Sequence, residues 1–209
     1  MEPRADPTPL YLAATVDLQR AVDWLADTNA QRPAPERLLL AALFLRAVIT
    51  ALRDVPELNR PWAPGARPCP DGGPVHLAVA VGHRAGGLAT VVVPEADRLD
   101  LDALMRTFRE GVARLRRGET QPNAPRATFT VTSLGDQGAQ AVFPSIVPPQ
   151  VAGVGFGRVT EQPSAVAGAI VCSPVVTATL AADQRVTDSH RGSRFLALLD
   201  DRLQHPEAL

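Results

Sequence analysis

The sequence predicts an α/β protein of the α+β kind, with a mainly antiparallel or mixed sheet and helices interspersed along the chain. Three observations carry that expectation. ATFTVTS (127–133) alternates strictly, Phe129 and Val131 facing one way and Thr128, Thr130 and Thr132 the other, which is the period of a half-buried strand. Over Leu99–Arg117 the apolar residues Leu101, Leu104, Met105, Phe108, Val112 and Leu115 instead form one stripe, the period of an amphipathic helix. The segments follow one another as β-α-α-β-β-α-β-β-β-α, an order that mixes both classes within one unit.

Taken in order, residues 1–9 are Pro-rich and are expected to be a flexible lead-in to a single domain over 10–209. LYLAATV (Leu10–Val16) is a short apolar strand. A helix follows from Asp17, whose carboxylate can cap it, with Leu18, Ala21, Val22 and Leu25 at helical spacing. Pro35 and Glu36 are expected to open a second helix, ERLLLAALFLRAVITALRDV, apolar on most sides and therefore deeply buried, which Pro56 ends. RPWAPGARPCPDGG (Arg60–Gly73) is the strongest loop signal. Val75–Val81 and Leu88–Val93 then flank GHRAGG as the two strands of a hairpin. Gly118 closes the third helix. After ATFTVTS come two further strand regions, VAGVGFGRV and the longer AIVCSPVVTATL, and a last helix from near Ser189 to about Leu203.

Composition narrows the function classes. Hydrophobic content of 45% and charged content of 21% over 209 residues are those of a soluble globular protein. A net charge of −1 offers no electrostatic footprint for nucleic acid or an anionic membrane. No window reaches the roughly 18 apolar residues of a membrane span, and MEPRADPTP is not patterned as a signal peptide, so a cytoplasmic protein is expected. Cys69 and Cys172 lack the spacing of a zinc site or a disulfide framework, and no metal is expected. Every basic residue is arginine, apart from the four histidines. With no lysine there is no Schiff base, no lysine general base and no covalently attached lipoate.

Four collinear stretches carry a resemblance. TPLYLAATVDL followed by ALRDVPELN, VHLAVAVGHRAGGLATVVVPEADRLDLDAL, ATFTVTSLGDQGAQAVFPSIVPPQVAGVGFGRV and LAADQRVTDSHRG together resemble the catalytic domain of the dihydrolipoyl acyltransferases of 2-oxoacid dehydrogenase complexes, from about Thr8 to Leu209. The resemblance implies the chloramphenicol acetyltransferase-like fold, a two-layer sandwich of a mixed sheet with helices on one face. It also implies a trimer with its active site between subunits, or a larger shell built of trimers.

In such enzymes the last stretch reads Asp-His-Arg, two residues, Asp-Gly. The histidine removes the proton from an acceptor thiol or hydroxyl that attacks an acyl thioester, and a hydroxyl of a neighbouring subunit steadies the oxyanion. Carried over, Asp183 and Arg185 match the structural pair, Asp188 the second acid and Thr132 the oxyanion hydroxyl, with Ser133, Leu134, Ser189 and His190 as substrate contacts. Two positions depart from the pattern: Gln184 stands for the histidine and Ser189 for the glycine. An amide only donates and accepts hydrogen bonds, so Gln184 removes the usual general base. That loss corresponds to about 10²–10⁴ in rate, while proximity and oxyanion stabilisation remain.

Two neighbours are candidate bases. His190 falls in the first turn of the last helix, where the dipole disfavours imidazolium, and its bland role is a surface histidine. Asp188 sits on the motif, and its bland role is to cap that helix. His76, His83 and His205 are expected to be structural or solvated. GHRAGG lacks the lysine of a phosphate loop, and GVGFG precedes no helix, which rules out a dinucleotide turn. Cys172 reads as a small buried strand residue. The arginines of Arg106–Arg117 read as a solvated face rather than a phosphate contact.

Three functions follow from the resemblance. The first is a stand-alone acyltransferase that moves an acyl group, expected to be acetyl, from a coenzyme A or carrier-protein thioester to a small hydroxylated metabolite, as in natural-product biosynthesis. The second is a repurposed or inactive member of the fold that binds a metabolite or catalyses a cyclisation or elimination. The third is a non-catalytic partner that forms a hetero-oligomer with an active relative.

Overall fold

A computed structural model describes residues 8–62, 72–82, 87–133, 138–166 and 168–209. One mixed sheet has the strand order β1-β7-β5-β4-β2-β3. Its strands are β1 (Pro9–Asp17), β2 (Leu77–Gly82), β3 (Leu88–Val93), β4 (Phe129–Ser133), β5 (Ala152–Phe156), β6 (Thr160–Val166) and β7 (Ala169–Asp183). Strand β4 runs parallel to both β2 and β5, and the remaining pairs are antiparallel. The hairpin expected around GHRAGG is the β2–β3 pair, its turn residues 83–86, with His83, lying outside the described residues.

The helices are α1 (Gln19–Ala30), α2 (Leu40–Asp54), α3 (Leu101–Arg116) and α4 (Ser189–Gln204). Residues in register place Leu12, Leu180, Val154, Val131 and Val79 on one face of the sheet, and these join the core that the helices cover. Helix α2 packs between α3 and α4, with nine of its 15 residues buried. Phe44 of α2 stacks on Phe156 of β5 at 4.4 Å between ring centroids. The expected two-layer arrangement, a mixed sheet with helices on one face, is the one found.

The opposite face carries small residues because backbone lies on it. A Cβ at Gly155 would meet the Val142 carbonyl oxygen at 1.9 Å, and one at Gly157 would meet that of Gln140 at the same distance. The Thr179 hydroxyl donates to the Val142 carbonyl, and Thr130 donates to Gln150 Oε1 at 2.6 Å. The glycine spacing of GVGFG therefore accommodates a crossing segment rather than a phosphate.

Several boundaries differ from expectation. Helix α2 starts at Leu40, not at Glu36: Ala34–Glu36 is a separate 3₁₀ turn, and Asn29 bonds both backbone groups of Leu38. Helix α3 begins after Asp100, whose carboxylate accepts from Ala103 N–H at 2.7 Å. Strand β6 was not expected, since TEQPSAV has no apolar alternation; it pairs with the outer half of β7, with Pro163 at an edge position proline tolerates. Cys172 lies in that outer half and is exposed, contrary to the buried residue expected, because β6 covers an edge of β7 and not its face. His76 sits just before β2 rather than in it and accepts Glu95 N–H on Nδ1 at 3.1 Å. On α3, Arg109 donates to the carbonyls of Pro35 and Arg37, so one of its arginines ties loops together.

Candidate functional site

Strand β7 ends at Asp183, which is buried to 1% exposure. Its N–H donates to Val151 at 2.8 Å, and its carbonyl accepts from Val186 and Thr187, closing a tight turn. Its carboxylate accepts from Arg185 N–H and Nε at 3.0 Å, from the Arg185 terminal nitrogen at 2.6 Å and from Thr8 N–H at 3.4 Å. Burial pushes the Asp183 carboxyl up, yet the Arg185 side-chain bonds, the Arg185 and Thr8 N–H groups and the guanidinium charge together hold it below its ordinary value.

The same guanidinium lies 3.9 Å from the centroid of the Trp62 ring, and Trp62 N–H donates to Pro149 at 2.7 Å. Arg185 is thus held between a buried carboxylate and an aromatic face. Trp62 was missed in the sequence, where it is part of a Pro-rich loop. Its one legible signal is an aromatic residue in a stretch otherwise built of turn formers.

Gln184 is exposed beside this clamp, with its backbone fixed by an N–H bond to Thr8 at 2.9 Å. Asp188 caps α4, accepting Arg191 N–H at 2.9 Å. Ser189 and His190 follow in the exposed first turn. His190 borders a cleft of about 290 Å³ with Asp54, Val55, Glu57, Arg191 and Arg194, in which Arg191 pairs with Glu57 at 2.7 Å. Between Gln184 and Asp188, the Thr187 side chain is buried and its hydroxyl has no partner among the described residues.

Thr132 is elsewhere. It is buried on β4, level with Ala80 of β2 and Gly155 of β5, on the sheet face away from the helices. Gly155 is level with Thr179, five residues before Gln184 on β7. Within one chain Thr132 and Gln184 are therefore about 17 Å apart along the strands and about 10 Å across them. Asp183, Gln184, Arg185, Asp188 and Ser189 are brought into one corner, and Thr132 and Ser133 lie at another end of the sheet. Leu134 lies outside the described residues. Among the described residues no group of three metal-ligating side chains occurs, and no helix is long and apolar enough to cross a membrane.

A mixed sheet covered on one face by helices, with a clamped Asp-X-Arg turn leading into the last helix, is the arrangement that the resemblance to acyltransferase catalytic domains implies. The sequence model of the 2-oxoacid dehydrogenases acyltransferase (catalytic domain) matches residues 5–209, and the chain belongs to that family. The dihydrolipoyllysine-residue acetyltransferase component of the pyruvate dehydrogenase complex of Mycobacterium tuberculosis is 32% identical over 197 residues, which are 90% of this chain and 35% of that protein. The chain thus spans about a third of the length of that curated relative.

Two solved structures each have a TM-score of 0.88 and 25% identity over 97% of this chain and 84% of theirs. One is the cubic core of the pyruvate dehydrogenase multienzyme complex. The other is the Azotobacter vinelandii dihydrolipoamide acetyltransferase, determined in work on a serine, a histidine and an asparagine in its catalytic mechanism, the last two four positions apart. A chloramphenicol acetyltransferase shares the fold, with a TM-score of 0.63 and 15% identity over 93% of this chain and 88% of its own.

Proposed function

We propose that this acyltransferase-family chain moves an acyl group from a coenzyme A or carrier-protein thioester to the hydroxyl of a small metabolite, in a site shared by two copies of a homotrimer. The observation that carries the reading is the separation of the two motif ends. Gln184 is exposed on a rigid corner while Thr132 lies about 17 Å further along the sheet, so they act on one substrate only if different chains supply them. The cubic assembly of a solved relative supports packing between copies, and the four-residue spacing of histidine and asparagine in the Azotobacter enzyme equals that of Gln184 and Asp188.

In this reading the acceptor oxygen forms a bond to the thioester carbonyl carbon while the Thr132 hydroxyl donates to the developing oxyanion. The C–S bond then breaks, and the hydroxyl proton ends on the departing thiolate. Gln184 orients the acceptor through its carboxamide and takes no proton. Asp188 holds α4 and, through it, the corner that carries Gln184. A hydroxylated product of natural-product biosynthesis is the acceptor class, and the transfer takes place in the cytoplasm without a metal and without a lipoyl group attached to this lysine-free domain.

The test is incubation with acetyl-CoA and a panel of hydroxyl acceptors, with mass detection of acylated product. Transfer with wild-type protein and a rate free of any titration near pH 6.5 is the expected result. Gln184→His is expected to add a limb near pH 6.5 and to raise the rate by about 10²–10⁴. A second reading, an inactive or repurposed member or the non-catalytic partner of an active relative, is favoured by Asp188 being occupied in capping. No transfer by wild type together with transfer by Gln184→His would establish that second reading.

A further inference from the structure

The corner that carries Gln184 is closed by a ring of contacts, and Trp62 completes it. Trp62 N–H donates to the Pro149 carbonyl at 2.7 Å, and the Val151 carbonyl, two residues on, accepts Asp183 N–H at 2.8 Å. Arg185 bonds the Asp183 carboxylate at 2.6 Å, and its guanidinium returns to Trp62, 3.9 Å from the ring centroid. Trp62 is itself partly buried against the hydrophobic core. The Arg185 side chain keeps 18% exposure and that of Asp183 only 1%, so the pair is shielded although Gln184 between them is exposed.

An arginine two residues from its carboxylate, on an exposed turn, would exchange that bond with water, and such a pair fixes little. An aromatic face changes this. It attracts the cation, takes the place of water on one side of the planar guanidinium, and leaves the in-plane donors to the carboxylate. Gln184 depends on the result, because a carboxamide takes no proton and contributes only through the direction of its hydrogen bonds. A displacement of about 1 Å, caused at a distance from the chemistry, can cost about 10²-fold in rate. We propose that Trp62 is a positioning residue for the transfer: its ring holds Arg185 on Asp183, and that clamp fixes the Gln184 carboxamide against the acceptor. The inference rests on the acyl-transfer reading and adds to it a residue that the motif itself does not supply.

The experiment compares wild type, Trp62→Phe and Trp62→Leu with acetyl-CoA and the hydroxyl acceptor that wild type acylates fastest, measuring kcat and both KM values. A loss of folded protein lowers kcat and leaves both KM values in place, so the acceptor KM separates positioning from a structural role. Trp62→Leu is expected to raise the acceptor KM about ten-fold, the equivalent of one desolvated cation–π contact, with the KM for acetyl-CoA unchanged. Trp62→Phe keeps an aromatic face and is expected to stay within about three-fold of wild type. Trp62→Met, which also lacks a ring, is read in place of Trp62→Leu should that variant not fold. An unchanged acceptor KM in the ring-less variant, an equal rise in Trp62→Phe, or loss of folding in both ring-less variants overturns the inference and leaves acyl transfer standing. If wild type acylates no acceptor, the acyl-transfer reading is overturned and this inference with it.

Discussion

Asp183 is a buried carboxylate with its lone pairs taken up by Arg185 and Thr8, and Arg185 is pinned in turn on Trp62. Such a pair is worth little if replaced whole by apolar groups, and much if only one partner is removed. Arg185→Met leaves Asp183 buried without its cation and is expected to destabilise the fold by about 3–5 kcal/mol in denaturant titration. The pH dependence follows from the same contacts. The folded carboxyl sits below its unfolded value, so its contribution is complete above the unfolded pKa of about 3.9 and is lost as pH falls through the folded one. Asp183→Asn should therefore remove part of the acid-induced loss of stability below about pH 4, measured by unfolding at stepped pH. Glutamine at 184, where the resembled motif has histidine, was legible in the sequence because most of that motif is kept around it, Ser189 for the glycine being the other departure. Trp62 was not, since 123 positions separate it from Arg185 and no local pattern joins them.

Among the elements, β5 shows how a spacing reads differently once packed. Its Gly155 is pressed by the Val142 carbonyl on one side of the sheet, while Val154 and Phe156 enter the core on the other. A methyl at Gly155 would have to displace backbone, so Gly155→Ala is expected to cost at least about 1–3 kcal/mol and to loosen the crossing segment. Hydrogen exchange at Gly157 and Arg158, whose N–H groups bond Thr177 and Ala139, would report that loosening. An unchanged midpoint and unchanged protection would show that the segment does not depend on the glycine. Helices α1 and α3, with periodic apolar stripes, were legible to within about two residues. The start of α2 was not: residues 37–39 are held extended by Asn29 and Arg109 from other parts of the chain. Strand β6 exists because β7 offers it an edge, a cause absent from its own composition.

For the whole molecule, the proposed division of the site between chains has a consequence that single-chain catalysis lacks. Thr132→Ala and Gln184→Ala each remove one half of it. Mixed and refolded together, the two variants are expected to regain activity, because some interfaces pair an intact Thr132 with an intact Gln184. Sedimentation velocity on the same mixture is expected to give a trimer or a multiple of one. A stable monomer, or a mixture no more active than its parts, would count against the shared site.

The order of the elements other than β6, the family, the absence of lysine from these 209 residues and the glutamine at 184 were all set by the linear sequence, because each depends on residue identity and local period. Where Thr132 lies relative to Gln184 was decided by strand register. Pairing of β4 with β5, and of β5 with β7, places Thr132 and Gln184 at opposite ends of one sheet, and register is a property of partners brought together by burial.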